Sequence, residues 1–255
     1  MERCVYAQAP LDEFTYAPED LSKEIHLWVL NLKQPYYTFQ NLKKLLNEEE
    51  KFKLNRYIFN SDKKRYVVSH GFLKKIIGKY LDINPNDVSF RISSLGKPRL
   101  DETLKPINFE FSMAHSHELA IYALTKGRRV GVDIEYIHRK IDHMKIASKF
   151  FTKKERGILK TLPEHQRKKA FYNCWTRKEA FIKTFDEKLL DFQEFEVTII
   201  PGEAPQIINI EGYPMESTHW YMISFSPAES YVGALVGEGR NWKPRFHYAY
   251  ISHAQ

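Results

Sequence analysis

An α+β fold is predicted for this chain of 255 residues: a pseudo-twofold unit of two similar halves, each a long helix packed on a small antiparallel sheet. Three observations predict it. Two long stretches carry helical apolar spacing, each is followed by a strand-like alternation, and each alternation leads into a hairpin. At an offset of 111 residues Glu118 falls on Glu229, Ala123 on Ala234 and Leu124 on Leu235. These identities are few, and chance would supply them as readily as duplication, so the prediction rests on the repeated order of elements. The halves are 1–128 and 129–255, joined near Thr125 to Val130 without a Pro, Gly or Ser linker. Tight packing is therefore expected, with a ligand cleft between the halves.

The first helix is read from Ser61, a residue able to cap it. Val68, Phe72, Ile76 and Tyr80 fall at helical spacing, flanked by Leu73, Ile77 and Leu81, and Asn84-Pro85 stops the run. Val88, Phe90 and Ile92 then alternate. Ile107, Phe109, Phe111 and Met113 make one hairpin arm, 115–118 its turn and 120–124 its return. In the second half a helix is read from 163 to 185, with Phe171, Cys174, Trp175, Phe181, Ile182 and Phe185 on one side. Phe195, Val197 and Ile199 alternate after it, and 219–225 returns through 226–229 to 231–235.

At 43% apolar and 14% aromatic the chain has material for a substantial core. No run of about 18 apolar residues suggests a membrane span. Glu2, Asp12 and Glu13, without an apolar stretch, are unlike a secretory signal. Cys4 and Cys174 lack metal-ligand spacing, which argues against a disulfide framework or a zinc site and makes a reducing cytoplasm the expected setting. The formal charge of +7 suggests an anionic partner. Basic residues are spread in small groups such as Lys63-Lys64-Arg65, Lys74-Lys75 and Arg167-Lys168-Lys169, mostly as a solvated face. No basic tail of the kind that grips nucleic acid occurs, so neither nucleic acid nor membrane is an expected partner.

Four segments carry candidate chemistry. In Val130-Gly-Val-Asp-Ile-Glu135, read as a strand, Asp133 and Glu135 share one face. Adjacent carboxylates repel unless a cation or proton lies between them, and oxygen ligands suit Mg²⁺. Taken alone, the pair is as readily a solvent-facing acidic edge. In Trp175-Thr-Arg-Lys-Glu-Ala-Phe-Ile-Lys183, Glu179 and Lys183 stand one helical turn apart, an arrangement that an ordinary surface pair also gives. Lys178 projects into the apolar stripe, where a cation calls for a carboxylate or bound phosphate. In Ser94-Leu-Gly-Lys-Pro-Arg-Leu100, Lys97 is pinned between a turn glycine and a proline, suited to phosphate or simply to a turn. Phe111-Ser-Met-Ala-His115-Ser116-His117 places His115 where strand gives way to turn, within reach of a cleft.

In this order the segments resemble the Sfp-type 4′-phosphopantetheinyl transferases. The resemblance is carried by Gly96-Lys97-Pro98, Phe111 to Ser116, Gly131-Val-Asp133-Ile-Glu135, Phe150-Phe-Thr-Lys-Lys-Glu155 and Trp175-x-x-Lys178-Glu179-x-x-x-Lys183. It runs from about Glu24 to Trp242-x-Pro-x-Phe-x-x-Tyr248. It implies transfer of the 4′-phosphopantetheine group of coenzyme A, as co-substrate, to a serine of an apo acyl, polyketide or peptidyl carrier protein, with release of 3′,5′-ADP. It further implies a monomer binding coenzyme A between its halves. Asp133, Glu135 and Glu179 would hold Mg²⁺, or Mn²⁺, against the pyrophosphate. Lys183 and His115 would contact phosphates, Lys97 would lie near the adenine end, and Lys53, Arg56 and Arg65 would meet nucleotide phosphates. Glu179 or Glu155 would accept the serine proton, with Lys183 compensating the leaving charge. Ser112 and Ala114 depart from the family's usual Asn and Ser or Thr, and 185–189 lacks its glycines. A metal-dependent nuclease or phosphatase, and a catalytically decayed coenzyme A or carrier-binding module, are the competing readings.

Overall fold

A computed structural model of the chain describes residues 7–8, 20–33, 37–93, 96–101, 103–104, 108–137, 141–185, 190–211 and 216–249. Glu2, Cys4, Asp12, Glu13, Ser94, Leu95, Ile107 and the stretch 186–189 named above lie outside the described residues. The elements run β1 (Ala7–Gln8), α1 (Asp20–Lys23), β2 (Glu24–Asn31), α2 (Phe39–Lys44), α3 (Glu48–Asn55), α4 (Asn60–Leu81), β3 (Phe90–Ile92), β4 (Pro98–Leu100), β5 (Phe109–Ser116) and β6 (Leu119–Lys126). They continue with β7 (Val130–Tyr136), α5 (His143–Phe150), α6 (Lys153–Thr161), α7 (Glu164–Ile182), β8 (Phe195–Val197), β9 (Ile207–Ile210), a short 3₁₀ turn (Glu216–His219), β10 (Trp220–Phe225), β11 (Tyr231–Glu238) and β12 (Lys243–Ala249).

The strands form a five-stranded sheet, β1-β12-β2-β6-β5, a three-stranded sheet, β10-β11-β7, and two ribbons, β3-β4 and β8-β9. One order of elements occurs twice. A strand, a long helix, a two-stranded ribbon and a hairpin follow one another from β2 to β6 and again from β7 to β11, and the sheet orders β2-β6-β5 and β7-β11-β10 match. β12 breaks this correspondence: it runs parallel to β2, inside the first sheet.

Four layers result. Along β2, Trp28 and Leu30 join the core under α4, whereas Ile25, Leu27 and Val29 turn the other way and meet Val132, Ile134 and Leu235 of the three-stranded sheet. β2 and β6 are thus buried on both faces, which is why they read as nearly continuous apolar runs. The far side of the three-stranded sheet, including Ala234 and Val236, packs with Phe171, Cys174 and Phe181 of α7. Among the described residues no helix is long and apolar enough to cross a membrane.

Several boundaries differ from expectation for local reasons. α4 begins at Asn60, its N-cap is Phe59 rather than Ser61, and no side-chain cap bond is made there. It ends when Asp82 turns left-handed (φ 53°) and donates its N–H to the Gly78 carbonyl. α7 stops at Ile182 because Thr184 and Phe185 donate to the Phe181 and Ile182 carbonyls, tightening its last turn to i→i+3 bonds at 3.0 Å. The first hairpin turns at His117 and Glu118 only. Pairing persists through His115–Ala120 and Ser116–Leu119, and the positive φ of His117 closes the loop.

Candidate active site at the junction of the two sheets

The site begins with a glycine. On β7, Val130, Val132 and Ile134 enter the inter-sheet core, which leaves Gly131, Asp133 and Glu135 on the face toward α7. A Cβ on Gly131 would lie 1.9 Å from the Ala180 carbonyl oxygen. Only a bare backbone lets α7 come this close; Glu179 precedes Ala180 on that helix, and Lys183 is its C-cap.

Lys183 Nζ lies 2.6 Å from Asp133 Oδ1. The other oxygen, Asp133 Oδ2, is buried and makes no hydrogen bond. Burial is the main cause that pushes the Asp133 carboxyl up to about 7, with Glu179 and Glu135 adding to the rise and Lys183 opposing it. Glu179 is likewise raised, by burial first and by Glu135, against the pull of Lys183. Burial works against the charge of Lys183, yet Asp133, Glu179 and Glu135 together hold its pKa above the ordinary lysine value. Three carboxyls therefore feel one another and share one ammonium. The set has surplus negative charge and an open buried oxygen, which suits a hard cation.

Among the described residues no three His, Cys, Asp or Glu side chains stand in a metal-binding arrangement. The ammonium of Lys183 occupies Asp133 instead. The donor chemistry fits a divalent cation: carboxylate oxygens only, coupled through their charges, one of them buried without a donor.

Glu179 and Lys183 line a cavity of about 310 Å³ with Lys97, Ser112, Phe111 and Phe185. Pro98 continues its wall into a smaller cavity of about 80 Å³ lined by Lys53, Tyr66 and His70. Lys97 reaches across from the β4 side and donates to the Lys183 carbonyl at the end of α7. Burial pulls its amine down to about 7, helped by Arg99 and Lys183 and opposed by Glu110. Lys53 stands 5.8 Å over the Tyr66 ring, and that ring stacks on His70 at 3.9 Å. His115 is exposed on β5 and is near enough to His70 to act on its charge. Arg56 caps the C-terminus of α3, and Arg65 pairs with Asp62 at 3.2 Å.

Glu155 stands outside this group. It is 1% exposed. Its Oε2 accepts from the Thr152 N–H in a capping box, and its Oε1 accepts from Val197 N and pairs with Lys178 Nζ, each at 3.0 Å. Lys178 also donates to the Phe192 and Phe195 carbonyls. Its anionic partner is thus a carboxylate, and the pair is sealed in the second core.

Two serines of β5, which the sequence marks only as a departure from the family (Ser112) and as part of a polar turn (Ser116), reach across to β7. Ser112 Oγ accepts from Val132 N at 3.2 Å, and Ser116 Oγ accepts from Tyr136 N at 3.1 Å while donating to Glu135 Oε2 at 2.7 Å. These hydroxyls join β5 to β7, the edge strands of different sheets. Small residues at alternate positions, Ser112, Ala114 and Ser116, were the available signal of a close strand approach.

Residues 129–236 match a model described as the 4′-phosphopantetheinyl transferase superfamily, and residues 34–126 match one described as 4′-phosphopantetheinyl transferase, N-terminal. The 4′-phosphopantetheinyl transferase HetI of Nostoc sp. is 32% identical over 229 residues, covering 89% of this chain and 94% of that protein. The 4′-phosphopantetheinyl transferase gsp of Aneurinibacillus migulanus is 29% identical over 147 residues, 58% of this chain and 59% of its own. A solved holo-(acyl-carrier-protein) synthase from Bacillus anthracis, in complex with CoA (3′,5′-ADP), is 21% identical and covers 44% of this chain and 96% of its own, with a TM-score of 0.34, too slight a likeness to carry an argument.

Proposed function

This chain belongs to the 4′-phosphopantetheinyl transferase family, and on that premise we propose that it moves the phosphopantetheine arm of coenzyme A onto a carrier-protein serine at the cleft beside Asp133 and Lys183. The observation that carries the location is the open, buried Asp133 Oδ2 within a carboxylate set that shares one lysine. Asp133, Glu135 and Glu179 are the residues that would hold Mg²⁺, with Mn²⁺ as a substitute. When bound, the ion would offset charge on the pyrophosphate oxygens.

The chain's own groups account for the rest. The serine oxygen forms a bond to the phosphorus bearing the pantetheine arm, the pyrophosphate bridge breaks, and 3′,5′-ADP leaves with the electron pair. The serine proton needs an acceptor. Glu179 is assigned that role because it lines the cavity beside Lys183, whereas both oxygens of Glu155 are already engaged. Lys183 compensates developing negative charge at the phosphates. Lys97 fixes the end of α7 that carries Lys183, Lys53 receives the nucleotide end along the smaller cavity, and His115 is assigned to the phosphates. Arg56 and Arg65 are assigned to the approach of the nucleotide phosphates. The halves 1–128 and 129–255 are read as a pseudo-twofold pair, which the repeated element order and matching sheet orders support. The protein is read as a cytoplasmic monomer.

The test is incubation with an apo carrier, coenzyme A and Mg²⁺, followed by intact mass. A gain of one phosphopantetheinyl group is expected from the natural chain, and Asp133→Asn should slow it by at least about a hundredfold. An unmodified carrier across acyl, polyketide and peptidyl types, or an undiminished Asp133→Asn rate, overturns the proposal.

A further inference from the structure

Glu135 is held by a residue from the opposite sheet. Ser116 is 2% exposed, and its hydroxyl has one proton to give and lone pairs to receive with. The Tyr136 N–H can only donate, so it occupies a lone pair of Ser116 Oγ. The hydroxyl proton is directed at Glu135 Oε2, 2.7 Å away. One oxygen of that carboxylate is thereby anchored, and its rotation is restrained. His117, next in the chain, stacks on the Tyr136 ring at 4.5 Å and steadies the same stretch of β7. Ser112 makes the comparable bridge to Val132 N, yet it touches no acid of the site.

We propose that Ser116 is a positioning residue for Glu135, fixing the carboxylate across the seam between the two sheets so that a divalent cation meets it already oriented. This rests on the reading of Asp133, Glu135 and Glu179 as cation holders. Because Ser116 belongs to β5 and Glu135 to β7, cation affinity depends on how the sheets sit against each other, and not on β7 alone. Partners that orient a ligand carboxylate commonly change affinity by about 10–100-fold when removed.

The experiment is a direct Mn²⁺ titration of the full chain by paramagnetic resonance of the free ion, with coenzyme A present and no carrier, beside a thermal melt of each variant. Ser116→Ala should weaken Mn²⁺ binding by about 10–100-fold, and Ser116→Thr, which keeps the hydroxyl, should restore it. Thr125→Val removes a buried hydroxyl on β6 that donates to the Leu21 and Glu24 carbonyls, outside both cavities, and should lower the melting temperature while leaving Mn²⁺ affinity unchanged. If Ser116→Ala does not fold, Ser116→Cys, with its weak donor, takes its place and should show an intermediate loss. Unchanged affinity in Ser116→Ala or Ser116→Cys overturns the proposal. Equal loss in Thr125→Val overturns it too, because general loosening of the fold would then be the cause. A natural chain that binds no Mn²⁺ overturns the cation reading beneath it and this inference together, an outcome distinct from normal binding by both the natural chain and the Ser116 variant.

Discussion

Two lysines, Lys178 within α7 and Lys183 at its C-cap, each meet a carboxylate, and they meet it under opposite conditions. Lys178 is fully buried, and its ammonium is shared among Glu155 and the Phe192 and Phe195 carbonyls. Glu155 in turn receives Thr152 N and Val197 N, so no oxygen of that carboxylate is left over. Lys183 keeps 27% of its side chain exposed, faces a cavity and serves a carboxylate set larger than one ammonium can neutralise. A buried ion pair with every partner present is architecture. One with a carboxylate oxygen left over is poised to receive something.

The difference can be broken most decisively at Lys178. Removing one member of a sealed pair strands the other charge in the core, which costs about 3–5 kcal/mol. Lys178→Met is expected to fall in that range in denaturant unfolding, and adding Glu155→Gln should recover part of the loss. The transfer rate per folded molecule should stay near that of the natural chain. Asp133→Asn should behave in the opposite way, with little or no loss of stability and a severe loss of transfer. Equal destabilisation by Lys178→Met and Asp133→Asn would erase the distinction between the two pairs.

Much of this contrast was legible in the sequence, and unevenly so. Alternation along 130–135 placed Asp133 and Glu135 on one face, and helical spacing placed Lys178 in an apolar stripe that demanded an anion. Glu155 carried a second readable signal: Thr152 three residues before it makes a capping box, a structural role that competes with a place in the site. Long-range consequences were not readable. Nothing local to Lys243–Ala249 says that this strand joins the first sheet beside β2. Nothing near Ser116 names Glu135, because the contact depends on how two sheet edges meet. Helix ends shifted for a related reason, since backbone conformation at Asp82 and the tightened turn after Ile182 set them rather than side-chain caps.

A smaller effect sharpens the comparison at Gly131. The open pair needs α7 pressed against β7, and a methyl group placed 1.9 Å from the Ala180 carbonyl oxygen must drive them apart. Overpacking of this kind costs about 1–3 kcal/mol. Gly131→Ala should therefore melt earlier than the natural chain and lose transfer activity beyond what the unfolded fraction explains, because Glu179 and Lys183 move away from Asp133. The sealed pair is held by Val197 N and the Phe192 and Phe195 carbonyls rather than by β7 and should remain intact. Loss of stability with an unchanged rate per folded molecule would show that the close approach does not set the site.

The last distinction is the response to pH, and its sign follows from Asp133. Burial above all, with Glu179 and Glu135, lifts this carboxyl to about 7 against the pull of Lys183. A folded pKa raised above the ordinary carboxylate value means that the ion-free fold is favoured while Asp133 carries its proton. That contribution is complete below the ordinary carboxylate range and is lost as pH rises through about 7. A divalent ion acts in the reverse direction, because it needs the carboxylate bare. Below the folded pKa each unit of acidity should cost about tenfold in Mn²⁺ affinity, roughly 1.4 kcal/mol, as a proton must leave for the ion to enter. Lys97, whose buried amine also sits at about 7, gains charge over the same range beside Lys183 and reinforces the trend. Titrations between pH 6 and 8 should thus show the ion raising the melting temperature more at the alkaline end, and Asp133→Asn should flatten most of that slope. Mn²⁺ affinity that stays level through pH 7 in the natural chain would mean that Asp133 already holds its charge without the ion, leaving the two lysines of α7 with carboxylate partners of the same kind.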